Sequence, residues 1–320
     1  MNTFKWLLKR EFWEHKGAFF WTPIALGALM TIFITISLAI AVLGLGSGMQ
    51  INGVEVSNLA NVITPQQKSE FASRFVFGYA GLSTPIFIGL GFCVFFFCLG
   101  SLFDERKDRS VLFWKSLPLS DSNTVLSKVA MAIGIAPAIA IVVATITAIL
   151  AGFLICLAAA AAGVNIFGEV LSNPATYLAP FQLAAMLPIY ALWALPTIGW
   201  LLMVSAWART KPLLWAVGVP VLAGTLVSWA NGMFRFDWNI SWLWTNVVGR
   251  LLGSVLPGLW LGFRPHSLPR GGSHEGMTAL SDALTQSWQL LAGPNIWIGA
   301  LLGAVMIFAA IRLRGLRDEG

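Results

Sequence analysis

One dense group of charges stands out along the chain: Asp104, Glu105, Arg106, Lys107, Asp108 and Arg109, inside the stretch LFDERKDRSVLFWKSLPLSDSNTVLSK at 102–128. Interleaved acids and bases of this kind do ion-pair chemistry, which serves docking rather than bond making. Glu105 precedes Arg109 by four residues, the favourable acid-then-base order on a helix. Val111, Leu112, Phe113 and Trp114 follow as an apolar knot, which is costly to leave in water and favours a docking surface. Leu117-Pro118-Leu119 then stops the helix, because the residue before a proline avoids helical geometry. Ser120 or Asp121 can cap the helix that comes next. The pattern predicts a short amphipathic helix over 104–119; a solvated connector would carry the same charges.

Bond-making chemistry is poorly served elsewhere. His15, His266 and His274 lie outside the apolar stretches, and no HExxH pair exists for a hydrolytic metal. No GxxxxGK[ST] segment is present to cradle nucleotide phosphates, so any ATP chemistry must be supplied by another polypeptide. The chain is read as a non-enzyme with no catalytic residue, metal site or cofactor of its own. Cys93, Cys98 and Cys156 all fall in apolar windows and read as small core hydrophobes.

The elements that would position the charge group follow from composition. Of 320 residues, 57% are hydrophobic and 11% charged, against roughly 25% charged in soluble chains. Six windows lack Asp, Glu, Lys, Arg and His altogether, running 38, 29, 40, 39, 23 and 29 residues. Each exceeds the ~20 residues needed to cross a ~30 Å hydrocarbon layer. The expectation is an all-α integral membrane protein in one domain over 1–320, with spans near 19–45, 76–103, 129–162, 176–207, 212–232 and 290–312. Windows without ionisable groups argue against coupling to a proton or sodium gradient. Lys and Arg number 14 on one side of these spans and six on the other. The excess marks the cytoplasm, with both termini inside. That placement explains the net charge of +6 without nucleic acid as a partner.

Four further features have a predicted form. Phe4, Leu7, Leu8 and Phe12 recur at helical spacing, so 1–17 reads as an interfacial helix leading into the first span. Region 233–289 tempts with a seventh span, but Arg250 sits at the middle of its apolar part and a central arginine is costly in lipid. It reads instead as re-entrant or interfacial helices at the outer face, broken near Pro257-Gly258, with Trp238, Trp242, Trp244 and Trp260 at the interface. Pro180, Pro188 and Pro196 step through the fourth span by eights and can kink it. Thr31 with Thr35, and Thr225 with Ser228, sit at helical spacing and could line a seam between helices or subunits.

Taken together, the Glu105-Arg106 pair after the second span, the short helix, Leu117-Pro118-x-Ser120 and Lys128 entering the third span resemble the permease subunits of type-2 ATP-binding-cassette exporters. Where many members of that family have a glycine after the Glu-Arg pair, this chain has Asp108-Arg109-Ser110. The resemblance covers essentially the full length. It implies a permease that pairs with a second copy or paralogue and with two cytoplasmic ATPase subunits, which hold ATP and Mg. Residues 104–119 would form the coupling helix, with Asp104, Glu105, Arg106, Asp108, Arg109, Trp114, Leu117 and Pro118 at the ATPase contact. The location implied is a bacterial inner membrane, and the substrate a hydrophobic or amphipathic drug, peptide, lipid or glycan. An ATP-coupled extractor or mechanotransmitter fits the same features; a gradient-driven carrier or a membrane assembly factor fits them less well.

Overall fold

The computed structural model describes residues 3–43, 50–51, 54–55, 65–108, 120–262 and 277–317. Among these, six helices are long and apolar enough to cross a membrane: Gly17–Val42, Gly81–Lys107, Asp121–Ala161, Thr176–Trp207, Pro212–Phe234 and Pro294–Leu316. They are the six spans expected from the charge-free windows. The largest shift is in the third, whose helix begins at Asp121 rather than near 129. Three of the helices run past an end of the window that announced them, and the overhanging turns carry Glu105, Lys128 and Arg314. A two-residue antiparallel pair, Gln50–Ile51 with Val54–Glu55, follows the first span.

Prolines punctuate these helices at positions where the missing N–H costs little. Pro23, Pro137, Pro188 and Pro212 each stand in the first turn of a helical segment, where the amide would be unpaired anyway. The fourth span is in fact two segments, Pro174–Ala185 and Leu187–Trp207. Between them Met186 N–H reaches back only three residues, to the Leu183 carbonyl at 3.1 Å. Of the three prolines in this span, Pro188 is therefore the one that marks a break, while Pro180 and Pro196 lie inside helix.

The fourth span is the centre of the bundle and packs most extensively on the sixth. Their backbones meet at two glycines: a β-carbon on Gly303 would lie 2.5 Å from the Leu195 carbonyl carbon, and one on Gly199 would strike the Gly303 carbonyl. Small residues that let helix backbones touch are a common means of association in lipid, where apolar contact alone gives no advantage. The first and fifth spans leave most of their side chains on the surface, including Leu29, Phe33, Leu222 and Trp229. A belt of large exposed apolar side chains on long apolar helices belongs in lipid, so this is an integral membrane protein.

Beyond the fifth span, the chain forms a helix over 240–253, a turn at Gly258 with φ of +83°, a 3-10 turn at Leu259–Gly262 and a helix at Met277–Gln289. The break expected near Pro257-Gly258 is found there. Arg250 is buried (9% exposed), and the fold handles it without a carboxylate among the described residues. Its guanidinium lies over the Trp193 ring at 4.4 Å, and Nη1 donates to the Asn295 carbonyl at 2.7 Å. The Arg250 carbonyl accepts from the Thr197 hydroxyl at 2.9 Å, and Ser254 N–H donates to the same hydroxyl at 3.1 Å. The 240–253 helix is thereby pinned to the fourth span and to the start of the sixth. Trp238 and Trp242 are exposed as expected of interfacial indoles, whereas Trp260 is buried, its Nε1 donating to Ser287 at 2.8 Å. The tract RPHSLPRGGSHEG with His266 and His274 lies outside the described residues.

Candidate functional site: a buried charge cluster joining four helices

Glu11, Glu105, Lys128 and Arg314 meet at one end of the bundle, all nearly inaccessible (0%, 7%, 1% and 5% exposed). They come from four separate helices: the N-terminal helix Thr3–Glu14 and the ends of the second, third and sixth spans. Lys128 Nζ is the hub. It donates to both carboxylate oxygens of Glu11 at 3.0 Å and lies 3.0 Å from Oε1 of Glu105. Glu105 is approached on its other oxygen by Arg314 Nη2 at 3.3 Å and on Oε1 by Arg10 Nη2 at 3.5 Å. At the rim, Arg314 Nε pairs with Asp121 at 3.4 Å and Arg10 Nε with Glu14 at 3.4 Å.

The four buried charges balance, two acids against two bases. That matters because an ion taken out of water costs several kcal/mol unless it is well paired. Each carboxylate oxygen has a cation beside it, so the cluster is electrostatically closed. Next to it, Arg106 fastens the second span to the fourth. Its Nη2 donates to the carbonyls of Ser205 and Ala208, the latter at 3.0 Å, while the Ser205 hydroxyl accepts from Leu102 N–H at 3.1 Å and Phe103 N–H at 3.0 Å. Those carbonyls belong to the last turn of the fourth span, where backbone acceptors lack helical partners and the dipole favours a cation.

Sequence reasoning placed Glu105 in a charged helix facing its neighbours along the chain. The fold instead continues the second span without interruption through Lys107, and the Glu105 carboxylate turns inward to Lys128 and Arg314. Asp104 and Asp108 are exposed, and a β-carbon at Gly100 would lie 2.7 Å from Asp104 Oδ2, so Asp104 folds back over its own helix. Arg109, Trp114, Leu117 and Pro118 lie outside the described residues. Ser120 does cap the next helix as expected, its hydroxyl accepting from Asn123 N–H at 3.3 Å.

No known protein family, curated protein or solved structure matches this chain. The cluster must therefore be understood from its own residues. Glu11, Arg10, Asp121 and Arg314 were not anticipated, yet three signals were available. Glu11 follows Leu7 by four and Leu8 by three, an acid on the apolar stripe of the N-terminal helix. Lys128 lies between Val125 and Val129 on the buried stripe of the third span. Arg314 continues the stripe of Ile307 and Ala310 on the sixth. A charge in register with buried apolar residues is the mark of a buried pair. The four seam hydroxyls resolve less dramatically: Thr31, Thr35 and Thr225 bond carbonyls of their own helices, and Ser228 alone also accepts from another element, Trp244 Nε1 at 3.0 Å. The described residues contain no His/Cys/Asp/Glu group that could hold a metal, and the three cysteines are free.

Proposed function

We propose that the chain is the membrane-spanning permease subunit of an ATP-driven exporter, working with a second permease copy or paralogue and two cytoplasmic ATPase subunits. The single observation that carries the reading is the position of Glu105. The second span leads directly into the charged 104–119 segment, and its last buried turn is tied by ion pairs to three other helices. A push on that segment by a nucleotide-driven partner would reach the N-terminal helix and the third and sixth spans through one carboxylate. Such a device biases a two-state equilibrium only as far as the partner binds the two states differently. The chain contains no phosphate-cradling motif of its own, which is in keeping with ATP and Mg residing on the partner. On this reading the cluster faces the cytoplasm of a bacterial inner membrane, both termini lie on that side, the helix over 240–253 is re-entrant from the outer face, and the cargo is hydrophobic or amphipathic.

The burial of Glu105 decides how the reading is tested. Reversing it would break the cluster itself and confound docking with folding. Asp108 is exposed, and Arg109 and Trp114 follow it, so Asp108→Arg, Arg109→Glu and Trp114→Ala are the informative variants. The tagged chain is purified from its source cells, and recovery of a co-purifying Walker-motif ATPase and ATP turnover are measured. The expected outcome is that the isolated chain hydrolyses no ATP and the wild type retains the ATPase. A docked charge pair that loses one partner costs ~2–5 kcal/mol, a loss of tenfold or more in recovery, whereas exposed charges contribute ~0–1 kcal/mol. Wild-type recovery and turnover in all three variants refute the reading.

A further inference from the structure

At the end of the bundle away from the charge cluster lies a half-enclosed cavity of about 270 Å³. The second, third and fourth spans form its walls, and Pro257, Trp260 and Leu280 from the segment after the fifth span close it over. Its lining has no charged side chain. The buried Tyr190 hydroxyl is already committed to the Val255 carbonyl at 3.2 Å. Two lining residues one helical turn apart, Thr84 and Ile88, stand exposed on the flank of the second span, Ile88 at 47%. The cavity therefore opens sideways, through the face of a membrane-crossing helix, into the surrounding hydrocarbon.

The geometry points to an acyl chain of a bilayer phospholipid as the occupant. Three conditions single it out. Water is a poor filler, since a stable internal water needs two to four polar partners and this lining offers few uncommitted ones. A void left empty forfeits the dispersion contacts of every side chain around it. An apolar chain is the one filler present in bulk at the mouth. The size fits as well: a methylene group takes about the volume share of a water, ~30 Å³, so the cavity holds a run of roughly nine carbons. The inference rests on the membrane placement of the spans and not on the proposed transport activity. The headgroup would remain outside, at the level of Thr84.

The test uses the full chain in phospholipid nanodiscs doped with a phosphatidylcholine that carries a photoactivatable diazirine midway along one acyl chain. After irradiation, adducts are mapped by peptide mass spectrometry. Adducts are expected on 183–190 and 257–261, in addition to those on Leu301 and Val305, which face outward and report ordinary lipid contact. Ala283→Phe fills the cavity from within. Ile88→Trp closes its mouth from an exposed position, and so keeps the test decisive if the first variant does not fold. Each lowers the cavity adducts at least fivefold and leaves those on Leu301 and Val305 unchanged. Adducts confined to the outward residues, or cavity adducts at wild-type level in a folded variant, overturn the inference.

Discussion

Replacing Lys128 by methionine removes the hub of the charge cluster while keeping most of its volume. Glu11 then faces no cation at 3.0 Å and Glu105 keeps only the longer contacts to Arg314 and Arg10. Breaking a buried pair by deleting one partner costs ~3–5 kcal/mol, because the other charge stays buried and uncompensated. At ~2.1 cal/mol/K per residue a chain of 320 residues shifts by ~1.5 °C in Tm per kcal/mol, so Lys128→Met should lower the unfolding midpoint by roughly 4–8 °C. The double variant Glu11→Gln/Lys128→Met tests the cause. Once the stranded carboxylate is neutralised, much of the penalty disappears, and the double variant should be more stable than Lys128→Met alone. Intrinsic fluorescence in detergent is a direct assay, since the chain has 15 tryptophans. A fall of less than ~2 °C for Lys128→Met, the scale of an exposed pair, refutes the assignment of a buried hub. So does strict additivity of the two substitutions.

Three other outcomes are expected. Arg250→Ala loses a desolvated cation–π contact worth ~2 kcal/mol and a charged hydrogen bond worth ~1.5–3 kcal/mol; Trp193→Ala empties a buried site at ~3–5 kcal/mol, and a thermal double-mutant cycle should find the double variant less costly than the sum by about the shared cation–π contact. Gly303→Val drives a side chain into the Leu195 carbonyl and should cost at least ~1–3 kcal/mol, whereas Gly218→Ala, with open space around it, should leave the melting point unchanged. Cysteines placed at Ser120 and Ser273 should react with an impermeant reagent from opposite sides of the membrane; labelling of both from one side would remove the six-span topology.

The spans were legible because charge-free windows of 23 residues or more have one physical solution in lipid, and the window lengths come directly from the sequence. Local chemistry was legible too: Ser120 caps its helix and Pro257-Gly258 breaks the chain as their residue types require. The charge cluster was not, for a reason that Glu105 makes plain. The acid-then-base spacing to Arg109 describes a helix surface in water, and nothing local announces that the same face will meet Lys128, 23 positions on, and Arg314 from the far end of the chain. Trp260 misled in the same way. An indole suits an interface or a core with an acceptor in it, and Ser287 supplies that acceptor from a helix whose approach only the fold specifies.

The third span, Asp121–Ala161, is 41 residues long, which at 1.5 Å per residue is ~60 Å of nearly unbroken helix, about twice the thickness of a hydrocarbon layer. Lys128 sits in its second turn, and Pro137 and Ile141 on the wall of the apolar cavity are carried by the same rod. A tilt of 10° about its midpoint would carry each tip through about 5 Å, one full helical turn. Ile141 lies at that midpoint, so a tilt that displaces Lys128 by ~3 Å, enough to part it from Glu11 and Glu105, leaves the cavity wall almost still. The rod therefore lets the charged end rock while the wall of the apolar cavity keeps its place.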